Sequence, residues 1–233
     1  MRQFCLYDCL MFRKYLTELD TSAFMAGKLI GAFVLGVVSD VIGRRKVFFI
    51  SIILLLISGT MAYAAPWFSF YLIARLLAGI ANSGTTLAGY ILALELVDPK
   101  HRPIPGIIWH FVNALGNFVL LAFAYYIRDW RNLMLAITLP SLVFLLYWKH
   151  LPESPRWLLL QGRVDEAQAI VEKAANMNGK VDVKLNFDEL KEEKREKPSL
   201  LRELKLLLSS WYLMRSTIII WGCWMCLSGA YYG

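Results

Sequence analysis

Gly36-Val-Val-Ser-Asp40-Val-Ile-Gly43-Arg44-Arg45-Lys46 closes one long apolar run and opens another. The first run carries Gly27, Gly31 and Gly36 and ends on one carboxylate, a glycine and three consecutive cations. The second, Val47 to Ala65, follows at once. Two membrane-length segments joined by a short basic loop predict a helical hairpin, and the cations place its loop on the cytoplasmic side.

The rest of the chain repeats this pattern. Of the 233 residues, 58% are hydrophobic, and they fall in blocks at about Thr21–Val38, Val47–Ala65, Phe68–Leu94, Ile104–Ile127, Leu133–Trp148 and Leu213–Gly233. At ~1.5 Å rise per residue, roughly 20 residues cross a ~30 Å hydrocarbon layer. An all-α polytopic membrane protein is expected, since the bilayer demands internally paired backbone. The net charge of +7 does not signal nucleic acid, because its cations sit between the spans. Arg44, Arg45 and Lys46 follow the first span, and Lys100, His101 and Arg102 follow the third. A long charged segment follows the fifth. If each span crosses once, these loops share one side and Pro66–Trp67 lies on the other. Arg128 and Arg131 are outer cations, outnumbered by those within. Cys223 and Cys226 fall inside an apolar helix and read as small packing residues rather than a metal or redox pair. No Asn-x-Ser/Thr glycosylation site occurs.

Residues 1–20 are mixed in polarity and are read as lacking a span. After the fifth span come Leu151-Pro-Glu-Ser-Pro-Arg-Trp157 and a soluble-looking stretch to about Ser210. Within it, Val164, Ala167, Ile170, Val171 and Ala174 recur at helical spacing and predict a helix over Val164–Asn176, stopped by Asn178-Gly179. Glu189–Lys197 reads as a solvated helix or loop. Leu200, Leu201, Leu204, Leu207 and Leu208 form an amphipathic turn suited to the inner membrane surface.

Polar groups inside spans are functional candidates by default. Arg75, Gly79, Asn82, Thr86 and Tyr90 recur on one face of the third span, and His110, Asn113 and Asn117 on one face of the fourth. Two readings compete: a water-filled substrate path, or hydrogen bonds between helices. Lys28 is the sole charge in its apolar run, ~18 Å by helix rise from Asp40. It either snorkels outward along its stem or faces a cavity and meets an anionic group.

Several motifs resemble one family. The Gly36–Lys46 stretch is similar to the loop between the second and third helices of major facilitator transporters. Arg75-Leu-Leu-Ala-Gly79 resembles their fourth-helix motif, and Glu95-Leu-Val-Asp-Pro-Lys-His-Arg102 the glutamate-to-arginine pair that follows it. Phe123-Ala-Tyr-Tyr-Ile-Arg-Asp-Trp-Arg131, Pro152-Glu-Ser-Pro-Arg-Trp-Leu158 and Gln161-Gly-Arg-Val-Asp-Glu-Ala167 resemble the organic cation, organic anion and carnitine branch, as does Tyr231-Tyr232-Gly233. Sugar porters share the basic hairpin and Pro152–Trp157, but not the whole set in this order. The resemblance covers roughly residues 20–233.

It implies helices two to seven of a twelve-helix fold: an outer remnant (1–20), an N-terminal bundle (21–150), a cytoplasmic loop with short helices (151–212) and the start of a C-terminal bundle (213–233). Helix one, the outer loop and helices eight to twelve are then missing, as an alternative start or a gene-model fragment would leave them. A multi-pass protein of the plasma membrane is implied, carrying small organic ions (cation- or carnitine-like) by alternating access. The alternatives are a non-transporting truncated isoform and a sugar-type porter. The partners implied are the substrate, the lipid bilayer and the missing helices.

The resemblance also implies roles. Gly36, Asp40, Gly43, Arg44, Arg45, Lys46, Arg75, Glu95, Arg102, Glu153 and Arg156 form a cytoplasmic latch, with Glu95 and Arg102 pairing with loop charges such as Glu153 and Arg156. Val41 stands where the family usually has a basic residue. Lys28, Asn82, Thr86, Tyr90, Trp109, His110, Asn113, Asn117, Tyr231 and Tyr232 are the substrate-cavity candidates, the tyrosines offering aromatic faces to an organic cation. No nucleophile elbow, metal-ligand spacing or phosphate loop occurs, so neither an enzyme nor a cofactor is expected.

Overall fold

The computed structural model describes residues 2–98, 101–177 and 209–232, of which 2–14 and 228–232 are described by backbone alone. Among these residues every regular element is a helix. Residues 1–185 form one compact unit and residues 186–233 another.

The first unit opens with α1, Arg2–Ile42. It is longer than the apolar run alone suggests, because the helix is continuous through residues 2–20. After Gly43 the chain reverses into α2, Arg44–Tyr63. Then follow α3, Phe68–Leu96, and α4, Pro103–Tyr126, whose proline stands in the first turn, where its missing N–H costs nothing.

The fifth expected span is broken. α5 covers Trp130–Thr138, α6 covers Ser141–Leu146, and a 3₁₀ turn at Tyr147–Lys149 follows. Pro140 supplies no backbone N–H to continue α5, and Thr138 Oγ1 donates back to the Met134 carbonyl at 2.6 Å. Among the described residues, five stretches have the length and apolarity to cross a bilayer: Tyr15–Ile42, Arg44–Tyr63, Phe68–Leu96, Pro103–Tyr126 and Trp130–Lys149.

Two short helices complete the unit. α7, Pro155–Leu160, is capped by Ser154, whose hydroxyl accepts from the Trp157 amide at 3.2 Å. α8, Val164–Met177, matches the helix expected there, and Trp157, Leu158 and Ala167 form the small core between the two. In the second unit, α9 spans Trp211–Tyr232 over the sixth expected stretch. The expected stop at Asn178-Gly179, the charged run 189–197 and the leucine turn 200–208 lie outside the described residues.

The packing of α1, α2 and α3 uses small residues. Ala74, Gly79, Ala81, Ser83, Gly84 and Ala88 are buried on α3, and Ser51, Ser58 and Ala62 on α2. Gly27 and Gly79 sit at the α1–α3 crossing, where a Cβ on either would collide with the other helix's backbone carbonyl, of Leu76 or Phe24. In lipid, helices associate by such close contact rather than by hiding apolar surface from water. Val47, Phe49, Ile52 and Leu92 are buried with the small residues, while many other large apolar side chains point outward. α4 has no buried residue and exposes Ile107, Phe111, Val112, Phe118 and Leu121, a surface that suits hydrocarbon and not water.

Candidate functional site

At the hairpin turn, Gly43 adopts φ +113°, a region L side chains rarely enter. A Cβ there would also stand 2.6 Å from Glu153 Oε2. That proximity has a purpose. Gly43 caps α2 without a side chain of its own, and Glu153, 108 residues away, takes over: its Oε1 accepts from the Arg45 amide at 2.9 Å. A carboxylate at a helix N-terminus also meets the positive end of the macrodipole. The preceding helix end is held from the same segment, because the Trp157 indole Nε1 donates to the Asp40 carbonyl at 2.8 Å.

The charges of the turn are arranged around Arg44. Its Nη2 lies 3.0 Å from Asp40 Oδ1, and its Nε 3.3 Å from Glu95 Oε2 at the end of α3. The Arg44 and Glu95 side chains are 11% and 12% exposed, whereas Asp40 is 62% exposed. The Asp40 contact therefore contributes little, and the Glu95 contact is a shielded pair whose rupture strands a charge. Neither Arg44 Nε nor Glu95 Oε2 makes a hydrogen bond. They attract as charges without the alignment that locks an arginine to a carboxylate. Arg45 lies along the Trp148 ring, 5.0 Å from its centroid, and its Nη2 donates to the Trp148 carbonyl.

Several expected latch members stand elsewhere. Arg75 does not join this cluster. It is twenty residues from Glu95 along α3, ~30 Å by helix rise, and pairs at the far end with Asp20 of α1. Its Nε donates to Oδ1 at 2.6 Å and its Nη2 to Oδ2 at 3.0 Å. Glu95 meets Arg44 rather than Arg156. Arg102 and Arg156 are exposed, and neither has an ion pair among the described residues. Lys46 is exposed, and Gly36 has open space where a Cβ would stand.

The polar face of α3 is divided between two neighbours and does not line one open path. Its far end is covered by α1 through Arg75 and Gly79. Its hairpin end meets α4: the Tyr90 and Trp109 rings are edge to face at 5.7 Å. Between them Asn82 is half-buried and Thr86 exposed. His110, Asn113 and Asn117 are exposed on α4. Lys28 Nζ lies 5.7 Å from the Phe24 ring centroid. The side chains of Tyr231 and Tyr232 are outside the described residues.

Four contributors escaped the reading of the sequence: Asp20, Phe24, Trp148 and Trp157. Asp20 carried a usable signal as the last carboxylate before the apolar run. Trp157 donates to the distant Asp40 carbonyl, and Trp148 accepts from distant Arg45 through its own carbonyl, which no spacing reveals.

A family model described as sugar (and other) transporter matches residues 10–232. The Drosophila melanogaster organic cation transporter protein is 40% identical over 95% of this chain and 42% of its own length. Human organic anion transporter 3 is 36% identical over 97% of the chain and 43% of its own. Human organic cation/carnitine transporter 2 is 33% identical over 92% and 39%. The chain thus spans about two fifths of the length of these relatives. Among solved structures, the inward-open xylose transporter XylE from E. coli superposes with a TM-score of 0.62 over 68% of this chain and 42% of that one, at 24% identity. That likeness concerns the fold.

Proposed function

This chain belongs to the sugar (and other) transporter family of multi-pass membrane proteins, and from that premise we propose that it supplies one half of an alternating-access carrier for small organic ions at the plasma membrane. The relatives named as organic cation, anion and carnitine transporters support the substrate class. The observation that carries the mechanism is the cluster at the hairpin turn. Arg44, Asp40, Glu95, Glu153 and Trp157 tie three helix ends to the segment after the fifth span. A carrier needs such a tie to be firm in one state and breakable in the next. The hydrogen bonds from Arg45 and Trp157 hold the turn as a rigid block, while the unaligned Arg44–Glu95 contact is the part that gives. The cluster lies at a helix-end surface and leaves the substrate to the spans.

The test is uptake into proteoliposomes of a labelled quaternary ammonium and a labelled aryl carboxylate. The chain is reconstituted alone and together with the C-terminal half of the Drosophila relative. Saturable uptake of at least one probe by the paired halves, and none by the chain alone, is expected. Uptake of neither probe by the pair rejects the organic-ion reading; uptake by the chain alone rejects the half-carrier.

A further inference from the structure

At the far end of the α1–α3 pair, one aromatic ring gathers two cations. The Arg75 guanidinium carbon lies 5.0 Å from the Phe24 ring centroid and Lys28 Nζ lies 5.7 Å from it. The charges are unequal in their company. Arg75 is neutralised by the bidentate bond to Asp20, and that pair is shielded, with side-chain exposures of 24% and 22%. Lys28 has no carboxylate within ion-pair distance among the described residues. The set Asp20, Arg75 and Lys28 therefore carries one uncompensated positive charge inside a membrane span.

Snorkelling brings it to no carboxylate among the described residues. The ammonium points one turn along α1, to the level of Phe24, and Asp20 lies a further ~6 Å on by helix rise. Contact with a ring face stabilises a cation by only ~0.5–2 kcal/mol, well below the several kcal/mol that an unpaired charge costs away from water. What the site lacks is an anion.

We propose that Lys28, with Arg75 beside it on the Phe24 ring, forms a subsite for the carboxylate of a substrate. The inference rests on the organic-ion reading above and narrows it to organic anions and to zwitterions bearing a carboxylate. Lys28 supplies the unpaired charge, Arg75 the adjoining positive edge, and Phe24 an apolar platform for the organic body. Asp20 limits the attraction by holding half of the positive charge, so that a bound carboxylate is not trapped.

The test measures binding to this chain in lipid nanodiscs by ¹⁹F NMR. The probes are 4-fluorobenzoate and 4-fluorobenzyltrimethylammonium, alike in their ring and opposite in charge. The carboxylate is expected to bind about tenfold tighter than the ammonium. Lys28→Met is expected to abolish that preference, and Lys28→Arg to retain it. Asp20→Asn is expected to strengthen carboxylate binding, a gain that misfolding cannot imitate. Preference for the ammonium, binding of neither probe, or a carboxylate preference untouched by Lys28→Met overturns the subsite. Uptake by the paired halves judges the carrier reading separately, since it is scored on either probe.

Discussion

At the residue scale, the hairpin turn is held by groups brought in from afar. Glu153 does for α2 what an N-cap side chain normally does, so Glu153→Gln should cost about 0.5–2 kcal/mol. Trp157→Phe keeps an aromatic ring but loses the indole hydrogen bond and part of the buried bulk, costing about 1–3 kcal/mol. Arg44→Gln strands the shielded Glu95 carboxylate and should cost more than either, about 3–5 kcal/mol. Urea unfolding of the three variants in detergent checks this order. A Trp157→Phe variant as damaging as Arg44→Gln would show that ring packing governs the turn. Asp40, Arg44 and Glu95 stand at the ends of apolar runs, but it is the resemblance of their motifs to the family that groups them. Arg75 belongs to the same family-like set of motifs, but as the eighth residue of α3 it stands at the opposite end of the helix from Glu95.

At the scale of elements, spans were easy to find and their interruptions were not. Hydropathy reports the solvent around a segment, and it is blind to Pro140 within an apolar run. Likewise the stripe on α3 was correct as a helical face, yet a face does not name its neighbours. α1 covers one end of it and α4 meets the other. The α1–α3 crossing allows a sharper test. Gly79→Leu drives a side chain into α1 and should destabilise by about 1–3 kcal/mol or more. Gly36→Ala enters open space and should lie within about 0.5 kcal/mol of the parent. Thermal unfolding of the two in the same detergent makes the comparison; equal effects would mean that the crossing is not a close contact in the membrane.

At the scale of the whole molecule, charge placement dictates orientation. Lys46, in the first turn of α2, and Trp67, in the loop beyond its other end, are both exposed. In intact cells, Trp67→Cys should react with an impermeant maleimide, and Lys46→Cys should react only after permeabilisation; the reverse would invert the topology. α4 exposes an apolar surface together with polar His110, Asn113 and Asn117. Such a surface was invisible to periodicity, which cannot tell a lipid-facing stripe from one that awaits another helix.

The central claim is that the cluster around Arg44 sets which state the carrier occupies and does not bind its substrate. The most direct measurement is the concentration dependence of uptake by the paired halves, with and without Arg44→Gln. A maximal rate lowered about tenfold is expected, the equivalent of ~1.4 kcal/mol in the balance between states, with the half-saturating concentration changed less than about twofold. An unchanged maximal rate with a tenfold higher half-saturating concentration would contradict it, and would move Arg44 from the gate to the binding site.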